Sequence, residues 1–472
     1  MSSLSYVSTR GDAPPLGFAD VLLAGLARDG GLYVPETWPV AGTEAIASFA
    51  GRGYAEVAEA VVKPFVGPAF GAGELRDMIA DAYATFRHPA VAPLVQTGPN
   101  TFVLELFHGP TLAFKDVAMQ LLARLMDRAL AQRGERATIV AATSGDTGGA
   151  AVEAFRSCSR VDVVVLFPHG RVSDVQRCQM TTVDAPNIHA VAVEGNFDDC
   201  QSLVKAMFND HAFRDRNRLA AVNSINWARI VAQVVYYFTS AVALGAPHRP
   251  VSFVVPTGNF GDVFAGWVAK KMGLPVARLI VATNQNDILA RTIESGRYEV
   301  RGVLPSSSPS MDIQVSSNFE RLLFEAEGRN PEAVRCHMAS LAQSGGFTVP
   351  PVPLAAIRAE FDAGRASEEE TAATMKRTRK DAGYVLDPHT SVAYAVGEAM
   401  GGDPSVPKIV LGTAHPAKFP DAVKAATGID PVLPDHVADI LERKERFTIL
   451  PNDIEKIEEF VAAHTRAAKE AA

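Results

Sequence analysis

Long apolar runs are missing from this chain. No stretch of its 472 residues reaches the roughly 20 consecutive apolar positions of a membrane span. Residues Met1 to Thr9 also lack the basic-then-apolar pattern of a secretory leader. Cysteine is scarce: Cys158, Cys178, Cys200 and Cys336 are scattered and form no Cys-x-x-Cys pair, so neither a zinc site nor a disulfide framework is indicated and a reducing compartment fits best. Positive charge is not in excess either. A formal net charge of -8 with no long basic run argues against nucleic acid or an anionic membrane as the main partner. Small anions stay open, since a local cluster of donors binds phosphate on an acidic protein. What remains is an ordinary globular composition, 47% hydrophobic and 21% charged, expected to be cytoplasmic, to hold no metal and to divide into about two or three domains.

The chain is organised around Phe107-His108-Gly109-Pro110-Thr111-Leu112-Ala113-Phe114-Lys115-Asp116. Phe102 to Leu106 reads as a short strand and Gly109-Pro110 as a turn, after which Ala118, Leu121, Leu122, Leu125, Ala129 and Leu130 recur at helical spacing up to Gly134. A lysine at the junction, beside Phe114, is poorly solvated. Its amine pKa falls, and it becomes a better nucleophile toward an aldehyde, which is Schiff-base chemistry.

Before this segment, the spacing predicts helices over 18–27, 55–62 and 74–83 and a turn into a short strand over 30–35. From about residue 100, β-branched runs alternate with helices, as in a parallel sheet covered on both faces, with candidate strands at 137–142, 161–167, 188–193, 251–255, 279–282 and 408–411. Ligands gather at the carboxyl ends of such strands, and three motifs lie there. Thr143-Ser144-Gly145-Asp146-Thr147-Gly148-Gly149-Ala150 opens a helix and suits an anion, with Ser144 or Asp146 as the alternative, a plain cap. Pro256-Thr257-Gly258-Asn259-Phe260-Gly261-Asp262 has two glycines that free the backbone to form a phosphate nest, and no Gly-Lys-Ser/Thr follows it. Leu411-Gly412-Thr413-Ala414-His415-Pro416 offers the Thr413 hydroxyl to a heteroaromatic nitrogen.

Together these segments resemble the pyridoxal-phosphate enzymes of the tryptophan-synthase-β type and, more narrowly, the threonine synthases. The likeness spans almost the full length. It runs from Tyr6-Val7-Ser8-Thr9-Arg10-Gly11 and Asp29-Gly30-Gly31-Leu32-Tyr33-Val34-Pro35-Glu36, through the Lys115 segment and Asn223-Ser224-Ile225-Asn226-Trp227-Ala228-Arg229, to His415-Pro416-Ala417-Lys418-Phe419. It implies an α/β chain of fold type II: two open, twisted, mostly parallel sheets with helices on both faces, plus a mainly helical N-terminal accessory domain. The expected divisions are 1–97 for the accessory domain, 98–134 and 240–472 for a large cofactor-binding domain, and 135–239 for a small mobile α/β domain.

The resemblance further implies that Lys115 is catalytic and carries pyridoxal 5'-phosphate through its amine. Gly258, Asn259, Phe260, Gly261 and Asp262 then hold the cofactor phosphate, and Thr413 faces the pyridine nitrogen. Ser144, Gly145, Asp146 and Thr147 lie where the substrate carboxylate is received, Asp146 being nearest the cofactor's O3′. A carboxylate there repels a phenolate, so its protonation and role stand open. The implied reaction turns O-phospho-L-homoserine and water into L-threonine and phosphate by γ-elimination and β-replacement, the last step of threonine biosynthesis, carried out by a monomer or homodimer. The phosphate that leaves needs a second anion site. Ser224, Asn226 and Arg229 converge at a helix start for it, with His108 and Lys418 as further candidates. Two other readings compete: a same-fold phospho-lyase or serine/threonine dehydratase that releases a 2-oxo acid, and a non-catalytic small-molecule or nucleotide binder using the same glycine loops.

Overall fold

The computed structural model describes residues 4–143 and 145–467. Ser144, expected at the substrate carboxylate, lies outside the described residues. Two separate sheets organise the α/β part. The first has six strands in the order Phe361–Arg365, Val276–Thr283, Val251–Pro256, Lys408–Gly412, Thr101–Glu105 and Leu94–Gly98. All its neighbours are parallel except the last pair, which is a hairpin. The second has five parallel strands in the order Thr448–Pro451, Ile188–Glu194, Val161–Pro168, Ala137–Ala142 and Leu219–Ala220.

The central strands are continuous β-branched runs buried on both faces, and the sequence shows them to within a residue or a few. Phe361–Arg365 was not expected, because an edge strand that reads Phe-Asp-Ala-Gly-Arg lacks an apolar run. The C-terminal residues depart further from expectation. The expected divisions place them in the large domain. Instead, Thr448–Pro451 extends the second sheet along Ile188–Glu194. Helix Ile454–His464 then buries Ile457 and Val461 among Val164, Val193, Leu203 and Phe213. Ile454, Ile457, Phe460 and Val461 recur at helical spacing, but the strand they cover is some 250 residues away in the chain and local pattern does not record it.

The helix Lys115–Arg133 lies at the seam, packed against both Asp146–Phe155 and Trp227–Ala243. Gly134 ends it in the left-handed region at φ 67°. The N-terminal section is mainly helical as expected, with Phe18–Ala24, Tyr54–Val66 and Ala72–Tyr83. It shares its core with the rest: Tyr6 and Phe65 pack their rings against Trp227 at 5.9 Å, all three fully buried.

Candidate active site

Three adjacent strands of the first sheet, Thr101–Glu105, Lys408–Gly412 and Val251–Pro256, end side by side, which brings their following loops together. Two of those loops are zipped. The Leu106 amide donates to Gly412 O at 2.9 Å, Phe114 N to Thr413 O at 2.8 Å and His415 N to Leu112 O at 3.0 Å. Inside the first loop, Asp116 accepts from the Thr111 amide at 2.8 Å and the Thr111 hydroxyl at 2.7 Å, closing the Gly109-Pro110 turn. Gly109 is required there, since a Cβ would lie 2.5 Å from that of Asp116. The result fixes Lys115 as the first residue of its helix, 8% exposed, with its amine 5.0 Å from the centroid of the Phe114 ring. Burial pushes the amine pKa down, the neighbouring Lys418 and Arg229 add to this, and Asp146 opposes it.

The glycine loop precedes helix Gly261–Lys271. Phe260 sits at φ 64°, the left-handed conformation, anchored by rings Phe319 at 5.5 Å and Phe361 at 5.6 Å. The amides of Gly258, Asn259 and Phe260 have no acceptor among the described residues, so three N–H groups stand unpaired at a helix start. From behind, the loop is braced by Ser316, whose hydroxyl donates to Gly258 O at 2.7 Å, and by Asn318, whose side chain donates to Asn259 O at 2.9 Å. Asp262 differs from its neighbours. Its carboxylate turns away into the core and accepts from the hydroxyls of Tyr236 and Tyr237, and burial pushes its pKa up to about 6. Only its backbone belongs to the loop.

Arg229 is 4% exposed, and its guanidinium donates to Val222 O at 3.2 Å while Nε has no partner. It forms no ion pair with a carboxylate among the described residues, and burial pushes its pKa down to about 10. A buried cation with no carboxylate partner has the chemistry that suits an anion. The residues expected beside it part company. Asn226 is fully buried and occupied as the N-cap of Trp227–Ala243, accepting from Ala228 N at 3.1 Å and donating to Leu22 O at 2.9 Å. Ser224 lies against the glycine loop, its carbonyl accepting from Asn318. His108 gives its Nε2 to Glu105 at 2.7 Å, and Glu105 also accepts from the Tyr384 hydroxyl at 2.7 Å.

The second sheet contributes the strand Ala137–Ala142 and the turn after it. Asp146 is the first residue of the helix and not its cap; the Thr143 hydroxyl accepts from Gly145 N and Gly148 N, both at 2.9 Å. Gly145 is at φ 133°, and a Cβ there would strike the Gln176 side chain at 2.4 Å. Asp146, 3% exposed, brings Oδ2 to 3.4 Å from the Lys115 amine. On the other side Oδ1 meets the Lys418 ammonium at 2.8 Å and Gln176 Nε2 at 3.0 Å. Burial pushes this carboxyl up, but Lys418 and Lys115 outweigh it and hold it well below the ordinary range. Thr147, the second residue of that helix, is half-buried.

Comparison with known proteins decides the family. The family model for the threonine synthase N terminus matches residues 5–83, that for pyridoxal-phosphate dependent enzymes residues 86–411, and that for the threonine synthase C-terminal region residues 390–461. The threonine synthase of Pseudomonas aeruginosa is 54% identical over 467 residues, covering 99% of this chain and all of that one. The chain belongs to the threonine synthase family. The crystal structure of PLP-bound threonine synthase from Brucella melitensis superposes with a TM-score of 0.97 at 62% identity, covering 98% of this chain and 100% of the other. That of the yeast threonine synthase gives 0.94 at 39% identity, covering 98% and 99%.

The residues present fit the cofactor of this pyridoxal-phosphate-dependent threonine synthase family. The unpaired amides of 258–260 suit a phosphate, the Lys115 amine is buried and depressed, and the Thr413 hydroxyl has no partner among the described residues. Thr413 is held from below, where Asp387 caps its helix and takes the Thr390 hydroxyl, and Thr390 Oγ1 accepts from Thr413 N at 3.2 Å. Sequence reasoning missed Gln176, Gln179 and Ser310, since lone polar residues in a helix or loop carry no spacing signal. A cavity of about 880 Å³ lies behind the glycine loop, between Arg10, Asn223, Ser316, Leu341 and Phe347. Lys115 does not line it.

Proposed function

We propose that this enzyme converts O-phospho-L-homoserine and water into L-threonine and inorganic phosphate at Lys115. The observation that carries the reading is a pair of separate anion sites beside one buried amine: the unpaired amides of Gly258, Asn259 and Phe260, and the uncompensated guanidinium of Arg229. A cofactor phosphate needs one of them. A substrate that itself carries phosphate needs the other, whereas a serine or threonine dehydratase does not.

Gly258, Asn259, Phe260 and Gly261 would hold the cofactor phosphate through backbone N–H groups, Thr413 would face its ring nitrogen, and Lys115 would carry it until substrate arrives. When bound, pyridoxal phosphate supplies an electron sink for the charge left at the substrate's Cα. Lys115 does the proton work. Its depressed amine takes the proton from Cα, then from Cβ as phosphate leaves Cγ. It hands one back at Cγ, water adds its hydroxyl at Cβ and yields its proton to the departed phosphate, and the amine returns the other proton at Cα before threonine leaves. Arg229 holds the phosphate as the bond at Cγ breaks, with Ser224 and His108 as further contacts, and the fork geometry of its guanidinium suits that group. Gly145 and Thr147, with Ser144, receive the substrate carboxylate at a helix start. The neutral hydroxyl of Thr413 leaves the ring nitrogen unprotonated, which favours elimination and replacement over transamination. The unit on the second sheet, residues 135–239 with the C-terminal strand and helix, moves against the rest as substrate enters. The cysteine usage supports the cytoplasm as the place of reaction.

The test is incubation of the purified yellow protein with phosphohomoserine, followed by identification of both products. Threonine and phosphate in equal amounts are expected. A 2-oxo acid without threonine would make the enzyme a phospho-lyase, and a protein that stays colourless with excess cofactor would be a binder only. Borohydride should fix a pyridoxyl group on Lys115 and on no other residue.

A further inference from the structure

Lys418 was a candidate for the substrate-phosphate site, and its surroundings exclude that. It is 0% exposed, and its ammonium has three N–H donors facing three acceptors: Asp146 Oδ1 at 2.8 Å, Thr111 O at 2.7 Å and Gln179 Oε1 at 3.0 Å. No donor is left for a phosphate. The three partners come from different parts of the fold. Lys418 follows the first-sheet strand Lys408–Gly412, and Thr111 follows the neighbouring first-sheet strand. Asp146 opens a second-sheet helix, and Gln179 lies on helix Asp174–Thr181, also of the second-sheet unit. Gln179 Nε2 donates to the same Thr111 O at 2.9 Å, and Ser310 Oγ reaches Asp146 Oδ2 at 3.4 Å, so the seam is tied from three sides.

We infer that Lys418 is a positioning residue: from the first-sheet side it holds Asp146 as a carboxylate with one oxygen turned to the Lys115 amine, so that one contact sets both the closure of the seam and the charge at the reacting nitrogen. This rests on the reading of Lys115 given above. Two cations, Lys115 and Lys418, face the one carboxylate, with the neutral Gln176 and Ser310 completing its shell and Arg229 the next charge beyond Lys115. A lone carboxylate at this depth would be strongly disfavoured. With Lys418 in place it stays ionised, accepts the proton hydrogen bond of the Lys115 ammonium whenever that amine has taken a proton, and releases it when the amine gives the proton back. Asp146 thereby faces Lys115 with a fixed negative charge, which answers the open question of its protonation.

The test compares Lys418→Met, Asp146→Asn and the double variant. The first reading uses cofactor-free protein, so it stands apart from the reaction. Breaking a buried pair from one side is more damaging than replacing both partners, so the double variant should melt above Lys418→Met. The second reading uses the loaded enzyme. Lys418→Met should lower kcat by roughly tenfold or more with KM for phosphohomoserine within about threefold, and the double variant should regain melting temperature but not kcat. A double variant that melts no higher than Lys418→Met would remove the pair. A double variant that regains kcat together with melting would make the pair a fold element only, and a raised KM at unchanged kcat in Lys418→Met would return Lys418 to the phosphate site. Any of the three overturns the inference. If Lys418→Met cannot be recovered folded, a folded double variant with low kcat supports it, and one with kcat near that of the parent overturns it. Loss of threonine formation in the parent enzyme would instead bear on the proposed function and leave the melting comparison intact.

Discussion

Arg229 shows how a single side chain acquires a role from what it lacks. Arginine on a surface pairs with a carboxylate and contributes little; here it is buried, near Lys115, and donates only to a backbone carbonyl. Replacing it by alanine should raise KM for the phosphorylated substrate by roughly 10- to 100-fold while the cofactor absorbance is unchanged. Steady-state kinetics beside a visible spectrum checks this, and an unchanged KM would remove Arg229 from the site. Asp262 is the opposite case, a buried carboxylate whose pKa is raised from 3.8 to about 6. A raised folded-state value means the group favours the fold when protonated, and that contribution is lost as pH rises through about 6. The Asp262→Asn variant has no such titration. Its stability relative to the parent, read from melting curves, should therefore climb between about pH 4 and 6.5, by an amount on the order of 3 kcal/mol. A flat difference across that range would refute the buried charge. Effects from His415, whose pKa burial pushes down to about 4, are common to both proteins and cancel.

At the scale of the element, the helix Trp227–Ala243 has its cap and its ligand candidate three residues apart, and they have different jobs. Asn226 closes the first turn and ties it to Leu22 O of the N-terminal section. The Asn226→Ala variant should lose about 1–3 kcal/mol of stability, seen as a lower melting temperature, yet keep KM for the substrate within about twofold. A KM change as large as that of Arg229→Ala would restore Asn226 to the phosphate site. The glycine loop makes the same separation. Its chemistry lies in the amides of 258–260, and the side chains of Phe260 and Asp262 serve to fasten it to the core.

For the whole molecule, the decisive feature is that the chain crosses between the sheets more than twice. After Lys408–Gly412 and Lys418 on the first side, Arg177 takes Glu445, Arg446 donates to Thr181 O, and the strand Thr448–Pro451 joins the second sheet. This C-terminal strap covers helix Asp174–Thr181, which supplies Gln176 and Gln179 to the site. Ile457→Asp puts a charge among Val164, Val193 and Phe213 and should destabilise the second-sheet unit by roughly 3–5 kcal/mol. Limited proteolysis should then cut between residues 185 and 220 well before the first-sheet strands. Equal resistance of parent and variant would show that the strap is dispensable.

The sequence by itself determined the α/β class, nearly every central strand, the lysine at a helix start and the glycine loop, because each is written in local terms: β-branched runs, helical spacing, turn residues. Tertiary structure alone decided which of the expected side chains stay free and which are spoken for. Asn226 and Lys418 stand in motifs that suggest ligands, yet their hydrogen-bonding groups are taken by partners from other parts of the fold, while Arg229 meets only a backbone carbonyl and keeps its Nε free among the described residues. Local pattern reports what a residue offers. Whether anything in the folded chain has already accepted the offer depends on neighbours hundreds of positions away, and no spacing rule records them.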